Sequence, residues 1–152
     1  FLKPNQEESE LVARLANPSR AAGVDPTFLI DFALKGIRVD RVEPDLVVCT
    51  FKVSPRLTDR NGRFASGAIA TLVDVVGAAV VHREGLPMNV SVDMSISFLS
   101  TANVNDELEI TSSTLGLTGG YSGTSVLLKS KATGELIAEG RHSLFRKSAS
   151  KL

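Results

Sequence analysis

The sequence has one cysteine, two histidines and no net charge, and each scarcity removes a class of function. Cys49 alone cannot close an internal disulfide, which points to a reducing intracellular compartment rather than a stapled secreted domain. Seventeen Lys and Arg balance seventeen Asp and Glu, so binding of nucleic acid through its phosphates is disfavoured. His82 and His142 stand without a ligand spacing, so no metal site is predicted. No glycine-rich loop opens a helix. Gly119-Gly120 with Gly123 is a hairpin device, not a dinucleotide loop. There is no internal repeat and no domain linker, and 152 residues at 43% hydrophobic and 22% charged make one ordinary globular domain.

What the chain does have is an apolar stretch over residues 65–82, hydrophobic on every side for about four turns. It is too short and too rich in Gly and Ala for a membrane span. A helix apolar all round is buried all round, so the sequence predicts a core helix that something wraps. One carboxylate, Asp74, sits in its middle. An unpaired buried charge is costly, so Asp74 is either satisfied by donors or used.

Residues 6–16 read as a short helix, with Glu7, Glu8 and Glu10 in its first turns and Pro18 beyond its end. Asp25-Pro26 opens a second helix that runs through Phe28, Leu29, Phe32 and Ala33 and stops at Gly36. Ile37, Val39 and Val42 begin a strand that turns at Glu43-Pro44-Asp45 into a second, with Val47, Cys49, Phe51 and Val53 on one face, most simply a hairpin. A polar loop, residues 55–64, precedes the core helix. After Gly85-Leu86-Pro87 comes the clearest strand: Val90, Val92, Met94, Ile96 and Phe98 alternate with Ser91, Asp93, Ser95 and Ser97. Strands over residues 107–115, 121–130 and 136–145 follow as a meander. The prediction is an α+β fold: residues 1–35 a helical segment, residues 36–146 the domain, residues 147–152 a tail. One apolar helix and one curled antiparallel sheet cover each other only if the sheet wraps the helix, the hotdog arrangement. A single sheet leaves part of the helix bare, so a second subunit is expected to close it.

Three runs carry a family resemblance: Gly67-Ala-Ile-Ala-Thr-Leu-Val-Asp74, Val90-Ser-Val-Asp-Met-Ser-Ile96 and Thr133-Gly-Glu-Leu-Ile-Ala-Glu-Gly-Arg-His142. In this order they resemble the PaaI-type hotdog acyl-CoA thioesterases, and among them the acyl-CoA thioesterase 13 branch, over residues 36–146. The resemblance implies hydrolysis of an acyl-CoA to a free acid and CoA, without metal or organic cofactor. It also implies a homodimer with shared sites, paired into a homotetramer. The family run Asn-x-x-Gly-x-Leu-His-Gly-Gly aligns with residues 59–67: Gly62 matches, while Asp59 stands for the Asn, Ala65 for the His and Ser66 for the first Gly of the pair. Asp74 and Ser91 match the family's catalytic Asp and its supporting Ser.

Thioester hydrolysis needs a base that positions water and donors for the oxyanion. The helix start supplies free backbone N–H groups at Ser66 and Gly67, whatever side chain Ser66 carries; Ser66 as a plain N-cap is the bland alternative. Asp74 is the candidate base, and its bland reading is a charge satisfied by backbone donors. Eight residues separate Ser66 from Asp74, about 12 Å along a helix, too far for both to grip one thioester. An antiparallel helix of a second subunit would bring its own Asp74 to this helix start. Ser91 falls on the polar strand face with Ser95 and Ser97, either holding the attacking water or merely solvated. Asp59 is awkward, because a carboxylate beside the carbonyl opposes an oxyanion; it is protonated, turned away, or replaced in role by Asn61. Cys49 reads as core, His82 as a helix-end charge, His142 as structural. Arg60, Arg63, Arg141, Arg146 and Lys147 either meet CoA phosphates or only solvate the surface.

The chain ends Ser150-Lys151-Leu152, the address read by the peroxisomal import receptor, so peroxisomal localisation is expected, with a cytoplasmic or other organellar site otherwise. It opens on Phe1 rather than Met, so a longer native N-terminus is expected and a targeting signal there stays open. Two rival functions remain: a non-catalytic acyl-CoA or acyl-lipid binding protein, motivated by Ala65 and Asp59, and an enoyl-CoA hydratase, which normally wants an Asp/His pair.

Overall fold

A computed structural model describes residues 28–146. The helix expected over residues 6–16, the Asp25-Pro26 helix start and the terminal Ser150-Lys151-Leu152 lie outside the described residues. The chain divides into two compact units at Gly36. The first contributes one short helix, α1 (Phe28–Leu34), ending before Gly36. The second contains a hairpin, β1 (Arg38–Glu43) and β2 (Leu46–Lys52), a 3-10 turn (Pro55–Leu57), the helix α2 (Ser66–Ala79) and four further strands. These are β3 (Val90–Phe98), β4 (Glu107–Thr118), β5 (Tyr121–Ser130) and β6 (Leu136–Phe145).

The six strands make one antiparallel sheet in the order β1-β2-β4-β5-β6-β3. The sheet curls around α2, which packs on the strands β3 to β6. Leu72, Val73 and Val76 of α2 are buried with Phe51, Leu108, Ile110, Val126, Leu128, Ala138 and Leu144 of the sheet. Each large aliphatic or aromatic side chain so covered contributes about 1.5–3 kcal/mol. This is the expected α+β hotdog architecture.

The helix seats on β5 and β6 without a side-chain cushion. A Cβ on Gly140 of β6 would collide with both methyls of Val73, and one on Gly77 of α2 would lie 3.0 Å from His142 Nδ1 and 3.1 Å from Thr124 Oγ1. Gly140→Ala is therefore expected to destabilise the fold by about 1–3 kcal/mol, the usual cost of overpacking a core. Urea unfolding with an unchanged slope would register it as a lower midpoint.

One expectation about α2 is corrected. The helix is shorter than residues 65–82: Val81 and His82 donate to Ala78 and Ala79, three residues back, and Val80 and Val81 turn into the core at 4% and 2% exposure. Hydrophobicity alone cannot separate a last helical turn from a buried tight turn. As expected of a single sheet, the helix is not covered all round within one chain. Ser66, Gly67, Ala70, Thr71, Asp74, Val75 and Ala78 form a stripe that the sheet leaves at least partly open.

The face of Ser91 is also corrected. The β3–β6 register shifts between Ser91 and Asp93, so Val92 is an inserted bulge residue. Ser91 pairs with Leu144 and Met94 with His142, both buried residues two apart on β6. Directly opposed residues share a face. Ser91 therefore points to the helix side with Met94, Ile96 and Phe98, not to the face of Ser95 and Ser97. β3 is an edge strand, and its Val90, Val92 and Phe98 remain 60%, 55% and 53% exposed in the single chain.

Candidate active site

Within one chain the predicted site residues fall into two groups. The first lies at the start of α2. A cleft of about 330 Å³ is lined by Asp59, Arg63, Phe64, Ser66, Phe98 and Thr101, among others. Ser66 is not the N-cap: Ala65 is, with extended backbone and no side-chain cap. Alanine there gives up about 1 kcal/mol relative to Ser or Asp. The helical hydrogen bonds begin at the N–H groups of Ala68 and Ile69, which donate to the Ala65 carbonyl. The N–H groups of Ser66 and Gly67 are thus unclaimed by the helix. Both residues are exposed, and the positive end of the helix dipole adds to them.

The loop before the helix resolves the alternatives for Asp59. Its carboxylate Oδ1 accepts the backbone N–H groups of Asn61 at 2.8 Å and Arg63 at 3.0 Å. The loop closes with Asp59 N–H donating to Arg63 O and Gly62 N–H to Asp59 O. Gly62 takes φ +72°, a left-handed conformation costly for other residues, while Val104 N–H holds its carbonyl. Chiefly the Arg63 amide, with that of Asn61, holds the Asp59 carboxyl below the usual carboxylate range. Asp59 is ionised and turned into its own loop rather than protonated. Arg60, Asn61 and Gly62 make the loop tip and do not line the cleft.

The second group surrounds Asp74 at mid-helix. Ser91 Oγ donates to Asp74 Oδ1 at 2.8 Å. His142 Nε2 lies 2.9 Å from Ser91 Oγ and 3.3 Å from Asp74 Oδ1. Both contacts fall on Oδ1, and the Asp74 side chain is 43% exposed. Asp74 is thus held by side chains, not by backbone donors. His142, expected as structural, belongs to this cluster. Its position was accessible to a period-2 reading of β6, which places it in line with Gly140 and Leu144 on the core face; a histidine in such a row asks for a polar partner.

Burial pushes the His142 imidazole below its ordinary value, opposed in part by Asp74. The unfolded chain binds a proton near pH 6.5, whereas the folded imidazole stays neutral to lower pH. The unfolded state thus holds more protons in that window, and stability falls as pH drops below the ordinary histidine value. Urea midpoints measured between about pH 7.5 and 5.5 should decline, and His142→Gln should flatten the decline.

The remaining candidates settle into structural parts. Cys49 is 2% exposed and burial raises its thiol, as suits a core residue. Arg146 donates to the Val81 carbonyl at 2.9 Å, and Arg141 pairs with Glu139 at 3.6 Å on the surface. Lys147 lies outside the described residues.

Residues 61–131 match the profile of the Thioesterase superfamily. The acyl-coenzyme A thioesterase 13 of Mus musculus is 36% identical over 114 residues, spanning 74% of this chain and 81% of that protein. The Homo sapiens protein of the same name is 41% identical over 101 residues, 65% of this chain and 71% of that one. The crystal structure of zebrafish thioesterase superfamily member 2 is similar at a TM-score of 0.73 and 29% identity, covering 95% of this chain and 100% of that chain.

Proposed function

Because the chain belongs to the thioesterase superfamily and is a thioester hydrolase, we propose that it cleaves an acyl-CoA to a free acid and CoA in a site shared between two subunits. The observation that carries this is the split just described: an exposed carboxylate at mid-helix, and unclaimed N–H donors at the helix start. Eight residues separate the two, about 12 Å. An antiparallel second copy would set the partner's Asp74 over this chain's Ser66 and Gly67. The open stripe along α2 and the exposed apolar residues of edge strand β3 are the surfaces such a copy would cover. A homodimer, paired into a homotetramer, is the assembly proposed.

The chemistry runs from the residues. Asp74 takes a proton from a water as the water oxygen attacks the thioester carbonyl. Ser91, which donates to Asp74 and faces His142, keeps one lone pair for that water. The developing oxyanion meets the Ser66 and Gly67 N–H groups. Collapse breaks the carbon–sulfur bond, CoA leaves as thiolate, and the proton held by Asp74 returns to it. With Asp59 locked in its loop, the polarising donors are main-chain ones. Arg63 in the cleft is the proposed contact for a polar part of the substrate, beside Arg60, Asn61 and Gly62 at the loop tip.

Thiol release should be assayed over acyl-CoAs of varied chain length and aromatic character. Release above background supports hydrolysis. Tight binding without thiol would instead favour an acyl-CoA binding role, and loss of enoyl absorbance without thiol would favour a hydratase.

A further inference from the structure

Ser91 has one hydroxyl hydrogen, and it goes to Asp74. The 2.9 Å contact between Ser91 Oγ and His142 Nε2 then needs its hydrogen from the ring. His142 is therefore the Nε2–H tautomer, and Nδ1 carries the lone pair. The other side of the ring agrees. Nδ1 is buried with no hydrogen-bond partner among the described residues, and so is the Thr114 hydroxyl. Thr114 pairs across the sheet with Thr124, and Thr124 with His142, so all three stand in one row on the helix face. Nδ1 and Thr124 Oγ1 converge on the same spot under the Gly77 backbone. Thr124 donates only a long 3.3 Å bond, to the His142 carbonyl. Thr124 Oγ1 shares that spot, and its hydrogen is only loosely held by the long bond, which suits an unprotonated nitrogen there.

Asp74 is the charged group acting on this ring. The facing positions are Ser91 and Met94 on β3, Thr124 on β5 and Gly77 on α2, none of them charged. Burial works against protonating the ring. A neutral ring gives one hydrogen bond to Ser91. A protonated ring would become the direct counter-ion of Asp74 at 3.3 Å and weaken it as a base.

We propose that His142 is a positioning residue: as the neutral Nε2–H tautomer it holds the Ser91 hydroxyl, and through it Asp74, in the orientation that hydrolysis requires. This rests on the acyl-CoA hydrolase reading above. His142→Leu removes the donor and keeps an apolar fill. It should lower kcat about 2- to 10-fold, the scale of a hydrogen bond between neutral groups, with KM little changed. His142→Gln retains an N–H donor that cannot titrate. It should recover most of the rate and lose the part of the acid limb that belongs to the imidazole. Nitrogen-15 NMR of the wild-type imidazole should show a protonated Nε2 and a bare Nδ1, whatever the variants do. A folded Leu variant with full kcat overturns the proposal and leaves the hydrolase reading intact, and so does an Nδ1–H tautomer. Absence of thiol release from the wild type overturns the reading itself and the role with it.

Discussion

Asp74→Asn should leave a folded protein whose turnover falls about 10²- to 10⁴-fold, the contribution of a positioned general base. The substitution is nearly isosteric. The Asn carbonyl can still accept the Ser91 hydrogen that Asp74 Oδ1 accepts at 2.8 Å. The side chain is 43% exposed, so no buried charge or cavity is created. What disappears is the ability to accept a proton from water. Circular dichroism and urea midpoint should stay near wild type while kcat collapses and KM moves little. A variant keeping a tenth or more of the wild-type rate would mean that another group is the base.

Two inactive variants should restore activity when their subunits mix. Ser66→Pro removes one helix-start N–H while respecting the local backbone. Proline suits the first helical position, and the preceding Ala65 is already extended at φ −68°, ψ 135°. Loss of one oxyanion donor should cost about 10²- to 10³-fold. Co-expressed with Asp74→Asn subunits, it should yield mixed dimers in which one of the two sites pairs an intact helix start with an intact carboxylate. Random assembly makes half of the dimers mixed, so about a quarter of the wild-type rate per subunit should return. A rate no greater than the mean of the parents would confine the whole site to one chain. An apparent mass of a monomer in light scattering would do the same.

The order of helix, hairpin and meander was readable because hydrophobic period and turn residues agree along most of the chain. Asp74 stood out for a plain reason, being the lone charge in an apolar helix. Two features were hidden. The bulge at Val92 leaves the alternation of β3 intact on paper and shifts only its register against β6, so Ser91 was assigned to the wrong face. The core-facing place of His142 follows from the period of β6, but its partner Ser91 lies 51 residues away in the chain, which no local pattern encodes. Asp59 was closer to legible. Its Asp-x-Asn-Gly run is a turn signal whose carboxylate serves nearby main-chain donors, and that use accounts for its ionised state.

The inserted residue in β3 makes chain length, rather than side-chain identity, the sensitive quantity there. Deleting Val92 would restore an unbroken pleat. Either Ser91 would rotate away from the acid, or Met94, Ile96 and Phe98 would rotate off the helix. No substitution could repair both losses. A single-codon deletion should therefore be worse tolerated at this strand than most point changes around it.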